Sequence, residues 1–330
     1  MLSVYPWQQR QWQRLQSSRQ EGRLHHALML TGAGGIGLDH FADCLSASLV
    51  CARPRADCFP CGGCKSCLLH RGGNHPDIRR LAPEAEGKQI TVPVIRELID
   101  FLSLKSQYGR YKMAIVSPVD AMNRHAANTL LKTLEEPPPD SLLMLLSHRP
   151  GLLPVTIRSR CQRIHFQPVF DDETLAWLRQ RLGTPRHAEQ LLAMAGGAPL
   201  AALELHETDA VGQRDVLLAD LESLRRHEGD PITIAGRWNA MGPGRALRLL
   251  MQLIFTMTAL KCGATPAFTP DPATDARLHA LANGLDLRVL VDGYELAFKN
   301  YSLSAGQISY NSQGLLEDFI IYWQQPENGG

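Results

Sequence analysis

The sequence predicts an α/β domain built around a phosphate-loop turn, carrying a cysteine-rich insertion and followed by helices alone. Three observations predict it. Leu28–Cys44 reads as apolar strand, glycine-rich turn and helix. Short apolar runs then alternate with amphipathic helices up to Pro168, after which only the helical period remains. Five of the eight cysteines crowd between Cys51 and Cys67. With 330 residues, 44% apolar and 20% charged, the chain has the length for roughly two or three domains with sizeable cores. A net charge of +1 announces no global basic field for nucleic acid or an anionic membrane. The opening Met-Leu-Ser-Val-Tyr-Pro-Trp has neither the basic nor the apolar run of a secretion signal, and Leu249–Leu260 is too short to span a bilayer. A soluble, cytoplasmic protein is expected.

Taken in order, Pro6–Gln20 reads as a polar helix with Trp7, Trp12 and Leu15 on one side. Arg10, Arg14, Arg19 and Arg23 make it locally basic, as a solvated face or a nucleic-acid contact. His26–Thr31 is the first strand and Leu38–Val50 the helix after the turn. Between them Gly32 and Gly37 hold the two glycine positions of G-x-x-x-x-G-K-[ST]. With Gly34 and Gly35 they form a loop whose backbone N–H groups can face an anion at a helix N-terminus. Leu38 stands where the phosphate-gripping Lys belongs, and Asp39 where the Mg²⁺-holding hydroxyl belongs. An acid suits the first turn of a helix but repels a triphosphate. The stretch therefore reads as a nucleotide-binding shape without its catalysis, or as a plain glycine-rich turn.

Asp77–Leu81 is a short strand. Thr91 is positioned to cap a helix with Pro93 in its first turn and Val94, Ile95, Leu98, Ile99 and Leu102 as its apolar stripe. Lys112–Val116 is a strand buried on both faces. Asn123 caps the next helix, whose inner face is Ala126, Ala127, Leu130, Leu131 and Leu134, and Pro137–Pro139 stop it. Leu142–Leu146 and Ile164–Phe166 complete the strands. Asp171 or Asp172 caps a helix to Leu182, and His187–Ala195 is closed by Gly196-Gly197. Longer helices follow at Val211–Arg226, Gly244–Lys261, Pro272–Asn283, Leu287–Lys299 and Gln313–Gln324.

Among the crowded cysteines, Cys61-Gly-Gly-Cys64-Lys-Ser-Cys67 places three thiols at C-x-x-C spacing, and tetrahedral Zn²⁺ needs a fourth. Cys51 and Cys58 compete for that place. The regular run 58, 61, 64, 67 also fits part of an iron–sulfur pattern but lacks its ending, and unliganded core cysteines are the third reading. A saturated four-thiolate site leaves no open position, so catalysis by these cysteines is not expected.

A phosphate-loop ATPase also needs an acidic motif at the end of a second strand. Here Lys112–Val116 is followed by Ser117 and Pro118, with Asp120 farther on. Both halves of the metal and phosphate machinery are absent. Asn128-Thr-Leu-Leu-Lys-Thr-Leu-Glu-Glu-Pro-Pro138 and Pro154-Val-Thr-Ile-Arg-Ser-Arg-Cys161 resemble the clamp-loader branch of the AAA+ ATPases. The Cys51–Cys67 insertion is similar to that of the branch's bacterial subunits. Tyr5-Pro-Trp7, Gly22-Arg-Leu-His-His-Ala-Leu28 and Asn311-Ser-Gln-Gly-Leu-Leu-Glu317 resemble subunits of the DNA polymerase III clamp loader. The resemblance is strong over residues 1–168 and weaker after about 208.

This resemblance implies an AAA+-like α/β domain over residues 1–168, with a degenerate phosphate loop and a zinc module at 51–67. It further implies a helical lid domain at 169–207 and an all-α collar for oligomerisation at 208–330. The gamma/tau ATPase subunits of the family carry Gly-Lys-Ser/Thr and Asp-Glu; this chain has Gly37-Leu38-Asp39 and Ser117-Pro118, and Leu200 stands where the lid's sensor Arg belongs. The implied role is a non-hydrolysing subunit, with no productive nucleotide, in the DNA-directed DNA polymerase (nucleotidyltransferase) holoenzyme. Its implied partners are the gamma/tau and delta subunits, with the β sliding clamp and primed DNA reached through the complex. The family pattern picks Cys51, Cys61, Cys64 and Cys67 as ligands of a structural zinc, leaving Cys58 unassigned. Its Ser-Arg-Cys triplet picks Arg160, rather than nearby Arg158, as an arginine finger supplied in trans. Competing readings are an active gamma/tau-type ATPase with an unorthodox loop and a zinc-dependent DNA-binding module.

Overall fold

The computed structural model describes residues 2–85, 87–109, 111–183, 187–264, 272–304 and 311–325. A short 3-10 turn at Pro6–Gln8 leads into α1 (Gln9–Gln20), then come β1 (Ala27–Gly32) and α2 (Leu38–Val50). The cysteine-rich insertion carries α3 (Lys65–Arg71). β2 (Ile78–Leu81), α4 (Val92–Leu102), β3 (Lys112–Val116), α5 (Arg124–Glu135), β4 (Ser141–Ser147), α6 (Val155–Arg158) and β5 (Gln162–Phe166) follow.

The strands form one parallel sheet of order β2-β3-β4-β1-β5. β1 pairs with both β4 and β5, matching Met29 to Leu145 and Leu30 to Ile164. Every residue of β1, β3 and β4 is buried, which is why these strands read as continuous apolar runs. Alternate residues serve opposite faces. Leu28 and Leu30 join Trp12, Phe41, Leu45 and Phe166 in one core. Ala27 and Met29 join Ile95, Leu98, Leu130 and Ile157 in the other. The sheet thus fixes the end of β1, where the glycine-rich turn begins, between β4 and β5.

Asn123 caps α5 as expected, its Oδ1 accepting from the Ala126 N–H at 2.8 Å. Thr91 does not behave as expected: it precedes α4 with an extended backbone, but its side chain makes no cap bond.

The rest is helical: α7 (Asp172–Leu182), α8 (Ala188–Met194), α9 (Pro199–Glu207), α10 (Ala210–Arg225), α11 (Pro231–Ala240), α12 (Pro243–Lys261), α13 (Pro272–Asn283), α14 (Leu287–Ser304) and α15 (Ser312–Gln324). Asp171, not Asp172, caps α7, its Oδ1 accepting from the Thr174 N–H at 2.8 Å. The chain divides into two units, Met1–Trp177 with Ala198–Ala201, and Leu178–Gly197 with Ala202–Gly330. The second has its own core, in which Leu221, Trp238, Leu250, Ile254, Phe319 and Trp323 are buried. Its two buried indoles are satisfied: Trp238 Nε1 donates to Asp220 at 2.8 Å and Trp323 Nε1 to the Leu221 carbonyl at 3.2 Å. Among the described residues, no helix is long and apolar enough to cross a membrane.

Candidate functional site

The turn after β1 is tightly built. At Gly32 a Cβ would lie 2.9 Å from both Ile36 Cγ2 and the Phe166 carbonyl, so only glycine fits beside β5. Gly35 and Gly37 hold φ of +80° and +87°, the left-handed region that favours glycine. Three groups tie down the loop's carbonyls. Trp7 Nε1 donates to the Ile36 carbonyl at 3.0 Å, and Gln8 Nε2 donates to those of Ile36 and Gly37 at 3.0 and 2.9 Å. The N–H of Leu200 donates to the Gly35 carbonyl at 3.0 Å. A Cβ on Gly35 would meet the Ala201 backbone nitrogen at 2.5 Å, so the chain at Ala198–Ala201 lies directly against the loop.

The two residues that depart from the phosphate-loop pattern also depart in environment. Leu38 is buried in the core with Ile36, so no cationic head replaces the missing Lys there. Asp39 is exposed in the first turn of α2. At the end of β3, Ser117 donates its N–H to the Leu81 carbonyl. The Asp120 side chain is buried; its Oδ2 accepts from Arg149 Nε at 3.4 Å, and its Oδ1 has no hydrogen-bond partner. The glycine-rich turn thus leads into α2 with Leu38 and Asp39 where phosphoryl transfer uses an ammonium and a hydroxyl, and Ser117-Pro118 follows β3 where it uses an acid pair.

The cysteines sort cleanly. The sulfurs of Cys51, Cys61, Cys64 and Cys67 all lie within 4.8 Å of one another. Cys58 is outside this group. It sits at a left-handed turn, its carbonyl accepts from Ser48 Oγ at 2.6 Å, and its sulfur is 3.6 Å from Gln20 Nε2. Backbone N–H groups point at the clustered sulfurs: Cys61 N–H to Cys51, Cys64 N–H to Cys61 and Cys67 N–H to Cys64, at 3.3–3.4 Å. Gly62, at φ +76°, makes the turn that permits this. The Gly63 and Cys64 N–H groups lower the Cys61 thiol to about 6, while burial pushes Cys67 up to about 12. A zinc–sulfur bond of about 2.3 Å sets a tetrahedral edge near about 3.8 Å. The Cys61–Cys67 sulfurs are 3.9 Å apart. The four thiols therefore fit a single tetrahedral ion.

The module is locked to the sheet rather than hung from it. Ser66, between two of these cysteines, donates to the Val50 carbonyl at 2.7 Å and bonds His75 Nε2 at 2.7 Å. His75 Nδ1 accepts from the Asp77 N–H at 3.1 Å. Lys65 lies over the Tyr108 ring, 5.3 Å from its centroid.

Arg160 follows α6 and precedes β5, an edge strand of the sheet. Its Nη2 is 2.6 Å from Glu135 Oε1, and its Nη1 donates to the Thr156 carbonyl at 3.0 Å. Its side chain stays partly exposed. Arg158 differs: its Nε is buried without a hydrogen-bond partner. Cys161 is half-buried against the core, and burial raises its thiol to about 11, which suits a small hydrophobe and not a nucleophile. Trp7, Gln8 and Glu135 carry no sequence signal for these contacts, and Leu200 is marked in the sequence only as the expected place of a lid arginine.

Comparison with known proteins adds kinship to this geometry. The family described as DNA polymerase III, delta subunit matches residues 7–170. The chain is 39% identical over 243 residues to DNA polymerase III subunit delta' of Pseudomonas aeruginosa, spanning 73% of each. It is 34% identical over 333 residues to the delta' subunit of Yersinia pestis, covering 98% of this chain and 96% of the relative. Residues in common with DNA polymerase III subunit tau/gamma of Haemophilus influenzae reach 36% over 160 positions, 48% of this chain and 22% of that protein.

Proposed function

This chain belongs to the DNA polymerase III subunit delta' family, and from that premise we propose that it is the non-hydrolysing subunit of a clamp loader. In this reading it joins gamma/tau ATPase subunits and a delta subunit in a ring that loads the β sliding clamp onto primed DNA in the cytoplasm. Residues 1–168 are its AAA+-like domain, 169–207 its lid and 208–330 its collar.

The observation that carries the proposal is the phosphate loop. It has glycines at 32, 34, 35 and 37, buries Leu38 where the pattern has Lys, and has the Leu200 N–H bonded to the Gly35 carbonyl. A shape retained without its catalytic groups supports a part that is needed in assembly and dispensed from hydrolysis. Zinc suits the four-thiol cluster of Cys51, Cys61, Cys64 and Cys67, which saturates a tetrahedral ion and leaves no open position; its contribution when bound is structural. Arg160 is the residue this subunit supplies to its neighbour. A guanidinium at the sheet's edge can neutralise charge developing on a γ-phosphoryl held by another subunit, an effect worth about 10³ to 10⁵ in rate.

Mixing the purified chain with gamma/tau and delta subunits tests the proposal. A discrete complex that loads β clamp onto primed DNA, and loses loading when this chain is left out, is the expected result. No complex, together with salt-sensitive DNA binding by the chain alone, would replace it with a zinc-dependent DNA-binding module.

A further inference from the structure

The last turn of α5 is of mixed sign: Lys132 suits a helix C-terminus and the two residues that end it do not. Glu135 and Glu136 put two carboxylates at the C-terminus, where the macrodipole is already negative and a cation is preferred. Glu135 is compensated by the Arg160 guanidinium at 2.6 Å. Both members are partly exposed, at 36% for Arg160 and 51% for Glu135. Such an exposed pair adds little to folding. Stability is therefore a poor reason for an acid in this place.

The surroundings are rigid. Leu134, beside Glu135, and Ile157, in α6, are buried in the same core, and half-buried Cys161 packs on it. The Leu134 carbonyl is further held by His26 Nε2 at 3.0 Å. Glu135 and the backbone of Arg160 are thus set by packed elements on either side of the pair. Nη1 donates to the Thr156 carbonyl and, at 3.5 Å, to Ser159 Oγ, and Nη2 goes to Glu135, which leaves Nε and the second Nη2 N–H for an incoming oxyanion. Arg158, two residues away, has no ion pair among the described contacts.

We infer that Glu135 is a positioning residue for Arg160: it fixes the guanidinium at the domain edge so that its remaining N–H groups meet a phosphoryl group held by the adjacent subunit. The inference rests on the arginine-finger reading above. A long side chain free to swing pays orientation entropy at each turnover, and a preorganised one does not.

The test is a double-mutant cycle in the reconstituted ring, reading ATP turnover stimulated by β clamp and primed DNA. The variants are Arg160→Ala, Glu135→Ala, Glu135→Gln and the Glu135→Ala/Arg160→Ala pair. Each ring is first checked for intact assembly and each chain for unchanged melting. Glu135→Ala should lower that turnover by up to about fivefold, a part of what Arg160→Ala removes, in kcat and not KM. The double variant should match Arg160→Ala alone within about twofold. Glu135→Gln, which keeps an acceptor, should retain an intermediate rate. Full turnover with Glu135→Ala where Arg160→Ala is impaired would overturn this inference and leave the finger standing. Full turnover with Arg160→Ala would overturn both. An equal loss from Glu135→Ala with or without Arg160 would assign Glu135 a role unconnected to the finger and overturn the inference.

Discussion

The N–H of Leu200 donates to the carbonyl of Gly35 at 3.0 Å, so the start of α9 is bonded to the backbone of the glycine-rich turn. Gly35 makes the contact possible by combining a left-handed backbone with the absence of a Cβ.

Two neighbouring glycines therefore predict opposite outcomes. Gly35→Ala forces a side chain into φ +80° and drives a Cβ to 2.5 Å from Ala201, and should cost about 2–4 kcal/mol. Gly34→Ala meets nothing within 4 Å and should melt close to the parent. Paired thermal unfolding checks this; equal melting of the two variants would remove the Ala198–Ala201 contact from the account.

Metal content should be one zinc per chain. Single Ser substitutions at Cys51, Cys61, Cys64 or Cys67 should lower it, and Cys58→Ser should not. Elemental analysis after gel filtration measures this directly. Zinc lost from Cys58→Ser and kept by Cys51→Ser would mean that the regular C-x-x-C run was the better guide. Bound iron with visible colour would point to a cluster instead.

A second anchor lies behind that module. Asp77 is fully buried and accepts from the Gln107 and Tyr108 N–H groups at 2.8 and 2.7 Å and from Lys112 Nζ at 3.3 Å. Burial alone would raise its carboxyl, but these donors hold it below the usual carboxylate range. Asp77→Ala leaves the Lys112 ammonium buried against the Phe101 ring and should destabilise by about 3–5 kcal/mol. Adding Lys112→Met should recover much of that loss in urea unfolding. A second loss equal to the first would mean that the two groups act independently.

Acid should loosen the contact between α2 and α3. Burial, then the charge of His75, lower His70 from its ordinary 6.5 to about 4, and its Nε2 bonds Ser46 Oγ at 2.9 Å. The fold favours the neutral ring, and the unfolded chain takes up the proton first. Its contribution is thus complete above pH 6.5 and is lost as pH falls from 6.5 toward about 4. Comparing melting of the parent and His70→Gln across that window should show the parent falling more steeply. Parallel curves would mean that His70 is not linked to folding.

Much of the α/β unit was legible because its signals are local. β1, β3 and β4 are apolar runs buried on both faces, and α2 keeps its expected limits, Leu38–Val50. Asn123 capped where a cap was expected. Thr91 did not, since an N-cap position can be filled without the side-chain bond being made. Helix α3 was hidden because its residues were read as ligand spacing; Cys64 in fact caps it, accepting from the Cys67 N–H. Helix α11 was unassigned although Asp230-Pro231 signals a start, with Asp230 Oδ2 accepting from the Thr233 N–H at 2.9 Å. The clasp of Trp7 and Gln8 on Ile36 joins residues 28 and 29 positions apart, and Glu135 meets Arg160 across two elements. Such contacts exist only once the sheet has set the elements side by side.

ATP turnover by the purified chain alone tests the central claim most directly. With Leu38 buried in the place of a phosphate-binding Lys, Asp39 in that of a Mg²⁺ hydroxyl, and Ser117-Pro118 following β3, the chain should release phosphate no faster than a buffer blank. Turnover above the blank that survives repurification and is abolished by Gly37→Ala would contradict it, and would make this chain an ATPase in its own right.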